Sequence, residues 1–277
     1  MLINGQSSDT VSIQDRGLSY GDGVFETILC EKGKPILLAG HIQRLINGCD
    51  RLKLTPQDQA TVLSEIREVA GQDDCIIKIT ITRGVRPRGY AYDRNDTAST
   101  RIISKSPILN IPEEYYTQGV SLRSCEYRLP DNPFLAGVKH LNRLDQVIAR
   151  SEWESDFQEG IMLDNNGSVI EGTMTNLFIE KSQKWITPTL NNSGVKGVMR
   201  QWIMRNSHFS NIECVEQDIN MKDIKNADAV FVCNSVIGIW PVKLVDEISF
   251  ESSKAVANLM DVAHKNLSYL FQGAGGV

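Results

Sequence analysis

The run Ile76-Ile77-Lys78-Ile79-Thr80-Ile81-Thr82 constrains the fold more than any other stretch of the chain. β-Branched side chains are stiff at χ1 and pack well on a pleated surface, so the run predicts a buried strand. Helix-patterned segments lead into it. Ile42, Leu45, Ile46, Cys49 and Leu52 recur at helical spacing and predict a helix over 41–53. Thr55-Pro56 then offers an N-cap followed by a proline at the first helical position. The helix expected there turns Val62, Ile66 and Val69 inward. Shorter strands are expected at 24–29 and 35–38, on either side of a turn at Gly33. Helices and strands mixed in this way predict an α+β domain.

The polar stretch 83–100, rich in Arg, Gly and Pro, reads as a loop. Residues 107–118 carry two prolines and mostly polar side chains and read as a junction between domains. The expected division is an N-terminal domain over 1–110, a linker over 111–118 and a C-terminal domain over 119–277. A length of 277 residues suits two domains with separate cores. Beyond the linker, strands are expected near 120–127, 160–163, 168–171, 177–180, 184–187, 212–216, 230–233 and 238–242. Asn165-Asn166-Gly167 is a strong hairpin turn signal between two of them. Helices are expected over 139–153, with Leu141, Leu144, Val147 and Ile148 on one face, after Gly197, and over 252–271.

Charge and composition narrow the function classes. The net charge of −5 argues against a nucleic-acid or anionic-membrane surface, so an anionic substrate needs a local cationic pocket. No apolar run approaches a bilayer span. Met1-Leu2-Ile3-Asn4-Gly5 lacks the charged start of a signal peptide, and the six cysteines form no CxxC pair. The expectation is a cytoplasmic protein with reduced thiols. The four histidines show no metal spacing, and no metal site is expected.

Several residues could carry chemistry, and each has an ordinary explanation beside it. Lys139 follows the apolar Phe134-Leu135-Ala136-Gly137-Val138 and opens the expected helix. Loss of solvation would favour its neutral amine, which can add to an aldehyde; taken alone, a surface lysine at a helix start explains it more simply, because helix-flanking lysines are common. Glu171 ends a hairpin strand and could hold the proton of a ring nitrogen, or be a solvated edge glutamate. Lys196-Gly197-Val198-Met199-Arg200 opens a helix whose free amides suit a phosphate, or is merely a glycine-led start. Asn234-Ser235 follows an apolar strand, where it could line a pocket or make a turn. Arg44 lies on an amphipathic helix, where an arginine is usually solvated. Arg83, Arg86 and Arg88 could clamp a carboxylate bidentately, or form a basic surface loop.

Taken together, these segments resemble one family. Tyr20-Gly21-Asp22-Gly23-Val24-Phe25-Glu26-Thr27 and His41-Ile42-Gln43-Arg44-Leu45 resemble the N-terminal signature of the fold-type-IV enzymes that use pyridoxal 5′-phosphate (PLP). Glu171-Gly172-Thr173-Met174-Thr175-Asn176-Leu177-Phe178 and Gly197-Val198-Met199-Arg200 match in the same order, over about residues 3–242. Lys139-His140-Leu141-Asn142-Arg143-Leu144-Asp145-Gln146, Arg88-Gly89-Tyr90 and Cys233-Asn234-Ser235 are similar to the 4-amino-4-deoxychorismate lyase branch of that family.

The resemblance implies a small α+β N-terminal domain, a larger pseudo-barrel C-terminal domain carrying the lysine, and a homodimer. It implies that Lys139 bonds the cofactor aldehyde and that Glu171 pairs with the pyridine nitrogen. Arg44, the amides of Val198 and Met199 and the Ser235 hydroxyl would bind phosphate, and Arg88 and Asn234 would hold substrate carboxylates. The implied reaction releases p-aminobenzoate and pyruvate, a step of folate synthesis, with possible hand-over from a synthase. Branched-chain transaminases of this family place a tyrosine five residues after the lysine, where this chain has Leu144. The rival readings are a D-amino-acid or branched-chain transaminase, or a non-catalytic scaffold, which would be expected to have lost the lysine or the glutamate.

Overall fold

The structure, a computed structural model, describes residues 1–93, 95–207 and 212–267. His208 and residues 268–271 of the expected last helix lie outside the described residues. The chain divides into two compact units. One is Met1–Leu109 with Val138–Asn142, and the other is Asn110–Gly137 with Arg143–Val277.

The first unit contains β1 (Leu2–Ile3), β2 (Gln6–Ser7), α1 (Arg16–Tyr20), β3 (Gly23–Glu31) and β4 (Lys34–Pro35). It continues through α2 (Leu38–Leu52), α3 (Gln59–Ala70), β5 (Cys75–Thr82) and β6 (Thr100–Ser106). The strands form one antiparallel sheet in the order β2-β1-β6-β5-β3-β4. The isoleucine-rich run is its interior strand β5. Ile77, Ile79 and Ile81 are fully buried and pack with Ile28, Ile42, Leu45, Val62 and Ile66. Burial of each such side chain contributes roughly 1.5–3 kcal/mol, so α2 and α3 are held by their apolar stripes more than by propensity.

Two boundaries differ from expectation. Helix α3 begins at Gln59, not after Thr55, because the Asp58 carboxylate accepts from both the amide and the hydroxyl of Thr61 and makes the cap. The strand expected over 35–38 stops at Pro35, and α2 starts at Leu38.

The second unit contains α4 (Glu114–Thr117), β7 (Val120–Leu129), α5 (Leu144–Arg150), β8 (Glu159–Asp164), β9 (Ser168–Gly172), β10 (Asn176–Lys181) and β11 (Lys184–Thr187). It ends with α6 (Val198–Asn206), β12 (Glu213–Glu216), β13 (Ile219–Asn220), α7 (Met221–Lys225), β14 (Ala229–Asn234), β15 (Gly238–Val245), β16 (Ile248–Ser249) and α8 (Lys254–Leu267). Its ten-stranded sheet runs β12-β11-β10-β14-β15-β7-β8-β9-β13, with β16 on β15. The pairs β11–β12, β15–β7 and β7–β8 are parallel. Register shifts interrupt the β15–β7, β7–β8 and β8–β9 ladders. Such irregularities bend strands, as a curled sheet requires. Both faces of the sheet are covered. Ile161, Leu163 and Val169 enter one core, and Met162 and Ile170 enter another with Trp153. These units have the expected α+β, two-domain architecture with a pseudo-barrel second domain.

The segment at Lys139 departs most from the sequence reading. No helix starts there; α5 begins at Leu144. Residues 138–142, expected with the second domain, pack with the first unit instead. Val138 enters that unit's core, and the Phe25 and Leu141 amides donate to the carbonyls of Lys139 (3.0 Å) and Gly23 (2.9 Å). Leu144, Val147 and Ile148 on α5 are exposed. Among the described residues no helix is long and apolar enough to cross a membrane.

Candidate active site

In the first unit, β3 and α2 build a buried ionic cluster next to the lysine segment. The Glu26 carboxylate, 1% exposed, accepts from Arg44 Nε at 2.7 Å and Arg44 Nη2 at 2.6 Å. His41, one helical turn before Arg44, places Nδ1 2.6 Å from the same carboxylate. Burial alone would raise the Glu26 pKa, but the charge and hydrogen bonds of Arg44, aided by His41, bring it down to about 2. Burial holds the His41 pKa below its ordinary value, against the pull of Glu26. His41 is therefore neutral, with Nδ1–H donating to Glu26. Its buried Nε2 has no hydrogen-bond partner among the described residues. The positive charge of Lys139 also opposes protonation of His41.

Lys139 is partly buried, and its Nζ lies 4.3 Å from the centre of the Phe25 ring. An extended residue stitched to a core strand has a fixed backbone, so the lysine's reach is set by its side chain alone. The segment ends at Asn142, whose Nδ2 donates to Gly21 O at 3.1 Å. Gly21 has φ +64°, and a Cβ there would overlap the Asn142 amide.

The expected cluster of three arginines resolves into two roles. Arg83 donates to both oxygens of Asp22 and to the carbonyls of Leu52 and Lys53. Arg86 donates to the carbonyls of Val85, Asp96 and Ala98. Both are buried and committed to the chain's own structure, so neither serves a substrate clamp. Arg88 is exposed.

In the second unit, β9 carries Glu171 at 4% exposure. Its Oε2 accepts from the Val195 amide at 2.8 Å and from Asn176 Nδ2 at 3.4 Å. Asn176 Nδ2 also donates to the Val195 carbonyl at 2.9 Å, tying β10 to the segment that leads into α6. Gly197 is the N-cap of α6, and a Cβ there would overlap Asn176 Oδ1. The close approach explains the glycine. It leaves the first-turn amides of Val198 and Met199, which have no acceptor inside the helix, free of a side-chain cap. Asn234 builds a turn. Its Oδ1 accepts from the amides of Val236 (2.8 Å) and Ile237 (2.9 Å), and its Nδ2 donates to Met174 O at 3.2 Å. Ser235 sits, partly buried, in that turn.

Two contributors were not singled out by the sequence reading. Arg143 is partly buried, and its pKa is lowered by desolvation against the attraction of Glu171 and Asp145. Glu159, fully buried, accepts from Gly160 N, Thr173 N and Oγ1, Met174 N and Thr175 Oγ1. It fixes the loop that follows Glu171. A glutamate after a polar loop gave no sign of this, because four of its five donors come from residues 173–175, beyond another strand end.

These groups fit PLP by their chemistry. A buried carboxylate with N–H donors suits a protonated ring nitrogen, a helix start without a side-chain cap suits a phosphate, and a fixed lysine suits an aldehyde. Among the described residues no three of His, Cys, Asp and Glu converge as a metal site.

Comparison with known proteins agrees. The amino-transferase class IV family matches residues 23–245. The aminodeoxychorismate lyase of Vibrio harveyi is 36% identical over 245 residues, 87% of this chain and 89% of that protein. The crystal structure of 4-amino-4-deoxychorismate lyase from Pseudomonas aeruginosa superposes with a TM-score of 0.92 at 38% identity, covering 97% of this chain and 99% of the other. A putative branched-chain-amino-acid aminotransferase of Methanocaldococcus jannaschii is 32% identical over 89% of this chain and 88% of its own length. The family match spans most of the chain, and the residues it covers include the lysine, the buried glutamate and the glycine-led helix, so this chain belongs to the class IV amino-transferase family.

Proposed function

We propose that the chain is a PLP-dependent lyase that converts 4-amino-4-deoxychorismate to p-aminobenzoate and pyruvate. The observation that carries this reading is likeness over nearly the whole chain to two proteins named for that activity, at 36% and 38% identity. The transaminase relatives match at 32% and 27%. Leu144, where branched-chain transaminases carry a tyrosine, points the same way.

Bound to this chain, PLP would supply an electron sink for the charge left when a substrate proton departs. Lys139 would hold the cofactor covalently, and its released amine would then take the proton from the ring carbon bearing the substrate's amino group. Glu171 would hold the proton of the pyridine nitrogen; its burial keeps competing water away. The amides of Val198 and Met199, the Ser235 hydroxyl and Arg44 would bind the phosphate. Arg44 presents a guanidinium whose orientation Glu26 already fixes on two of its nitrogens. Loss of the enolpyruvyl oxygen aromatises the ring, which drives the elimination, and the departing enolpyruvate takes up a proton to become pyruvate. Arg88 would meet a substrate carboxylate. Asn234 would contribute through the turn it builds and its remaining amide hydrogen.

The assembly we propose is a homodimer. The exposed apolar face of α5, with Leu144 72% and Val147 61% exposed, gives a second copy something to cover. Six free cysteines, five of them buried, fit a reducing cytoplasm. The proposed reaction would be a step of folate synthesis and would take its substrate from a synthase.

The test is a product assay on purified protein supplied with 4-amino-4-deoxychorismate and no keto-acid acceptor. Formation of p-aminobenzoate and pyruvate supports the lyase. No product, together with amino transfer from D-amino or branched-chain amino acids to 2-oxoglutarate, replaces it with a transaminase.

A further inference from the structure

The described part of the loop over 83–99 has little regular structure, yet Arg83 and Arg86 within it are pinned. Arg16, on the five-residue helix α1, is 4% exposed and reaches across to that loop. Its Nη1 donates to Gly89 O at 2.6 Å and its Nη2 to Tyr90 O at 3.3 Å. Its Nε donates to Asp22 Oδ2 at 2.8 Å, the oxygen that also accepts from Arg83 Nε at 2.8 Å. The Tyr20 hydroxyl accepts from Gly89 N at 3.1 Å. Burial would raise the Asp22 pKa, but the hydrogen bonds and charges of Arg83 and Arg16 outweigh it and lower it, so the anchor is an anion.

These bonds fall on both sides of one residue. Arg86, two residues before Arg88, is anchored to the carbonyls of residues 85, 96 and 98, and Arg16 holds the carbonyls of Gly89 and Tyr90 just after it. Arg88 itself is exposed. A loop of this length would otherwise carry a large ordering cost whenever Arg88 met a ligand. Two buried guanidiniums meet that cost in advance, in the folded chain.

We propose that Arg16 is a positioning residue for substrate. It touches no reacting atom, but by holding Gly89 and Tyr90 it aims Arg88 at a carboxylate of the substrate. The inference rests on the reading of Arg88 as the carboxylate-binding group. A lysine at position 16 has one nitrogen in place of a planar fork, so it cannot hold Asp22 and both carbonyls together.

The experiment compares the holoenzymes of Arg16→Lys, Arg16→Gln, Arg88→Ala and Arg16→Lys/Arg88→Ala. KM, kcat, cofactor absorbance, Tm and the rate of tryptic cleavage at Arg88-Gly89 are measured. Arg16→Lys should raise KM about tenfold with kcat within about twofold and cofactor content unchanged. In the Arg88→Ala background the same change should move KM by less than about twofold. Arg16→Gln should be cut at Arg88 about tenfold faster, a readout that needs no turnover and holds even if the lysine variant folds poorly. If Arg88→Ala raises KM while Arg16→Lys keeps the parent KM and neither Arg16 variant is cut faster, the inference fails and the Arg88 reading stands. If Arg88→Ala leaves KM unchanged, both fall. An equal KM rise from Arg16→Lys in both backgrounds shows a general structural role and overturns the proposal.

Discussion

The Nζ of Lys139 lies 4.3 Å from the centre of the Phe25 ring, while the Phe25 amide donates to the Lys139 carbonyl at 3.0 Å. One residue of a core strand thus fixes both the backbone of the lysine and the course of its side chain. Phe25→Ala should leave the lysine's backbone in place but free its side chain. We expect kcat to fall about tenfold with cofactor still bound, since small misplacements of a reacting group are costly. Steady-state kinetics with the absorbance of bound PLP check this; loss of PLP in the variant would show that Phe25 supports the cofactor instead.

The buried Glu26–Arg44–His41 cluster makes stability pH-dependent, and the sign follows from the shifts. Both Glu26 and His41 have folded pKa values below their ordinary ones, so the unfolded chain binds the extra protons. The stabilisation is full above the unfolded value of each group and is lost as pH falls. Stability should drop below pH 6.5 as unfolded His41 takes its proton, and again below 4.5 toward about 2 through Glu26. Each group adds a slope of up to about 1.4 kcal/mol per pH unit. Urea midpoints at a series of pH values measure this. His41→Asn should flatten the step below pH 6.5, and an unchanged slope in that variant would remove His41 from the account.

Glu159 accepts five hydrogen bonds, four of them from Thr173, Met174 and Thr175, which shape the 173–175 loop. Glu159→Gln keeps the size but turns an acceptor into a donor among donors. We expect a loss of about 3 kcal/mol, as for breaking a buried charged network, read from the shift in urea midpoint. A variant as stable as the parent would contradict that network.

Gly197 lies so close to Asn176 that any Cβ must displace it. Asn176 in turn contacts Glu171 and Val195, so Gly197→Ala should disturb both the helix start and the glutamate. PLP affinity, followed by fluorescence titration of apoprotein, should weaken about tenfold, with Tm falling only a few degrees. Unchanged affinity would mean that the first turn of α6 does not hold the phosphate.

Most of the fold was legible in the sequence where one side-chain period dominated. The isoleucine run and the Asn-Gly hairpin gave β5, β8 and β9, and helical spacing gave α2. Short or polar elements were not legible: α1 has only five residues, β13 has two and pairs with β9, and β6 is held by partners distant in sequence, such as Asp15, whose carboxylate accepts from Thr100. The Lys139 segment misled for a related reason. Its apolar spacing suits a helix, but pairing with β3 outweighs that local preference. Of the site, the lysine, the glutamate and the glycine-led helix stood out once their order was taken together. The division of labour among Arg83, Arg86 and Arg88 did not, because identical residue types in one loop differ only in what lies opposite them.

Reductive trapping is the most direct measurement of the central claim, that the Lys139 amine bonds PLP. The holoprotein is reduced with borohydride and digested, and the peptides are mapped by mass. The account predicts a single phosphopyridoxyl mark on Lys139 and none in Lys139→Ala. A mark on another lysine, such as Lys196, or an unmarked protein that still turns over substrate, would contradict it.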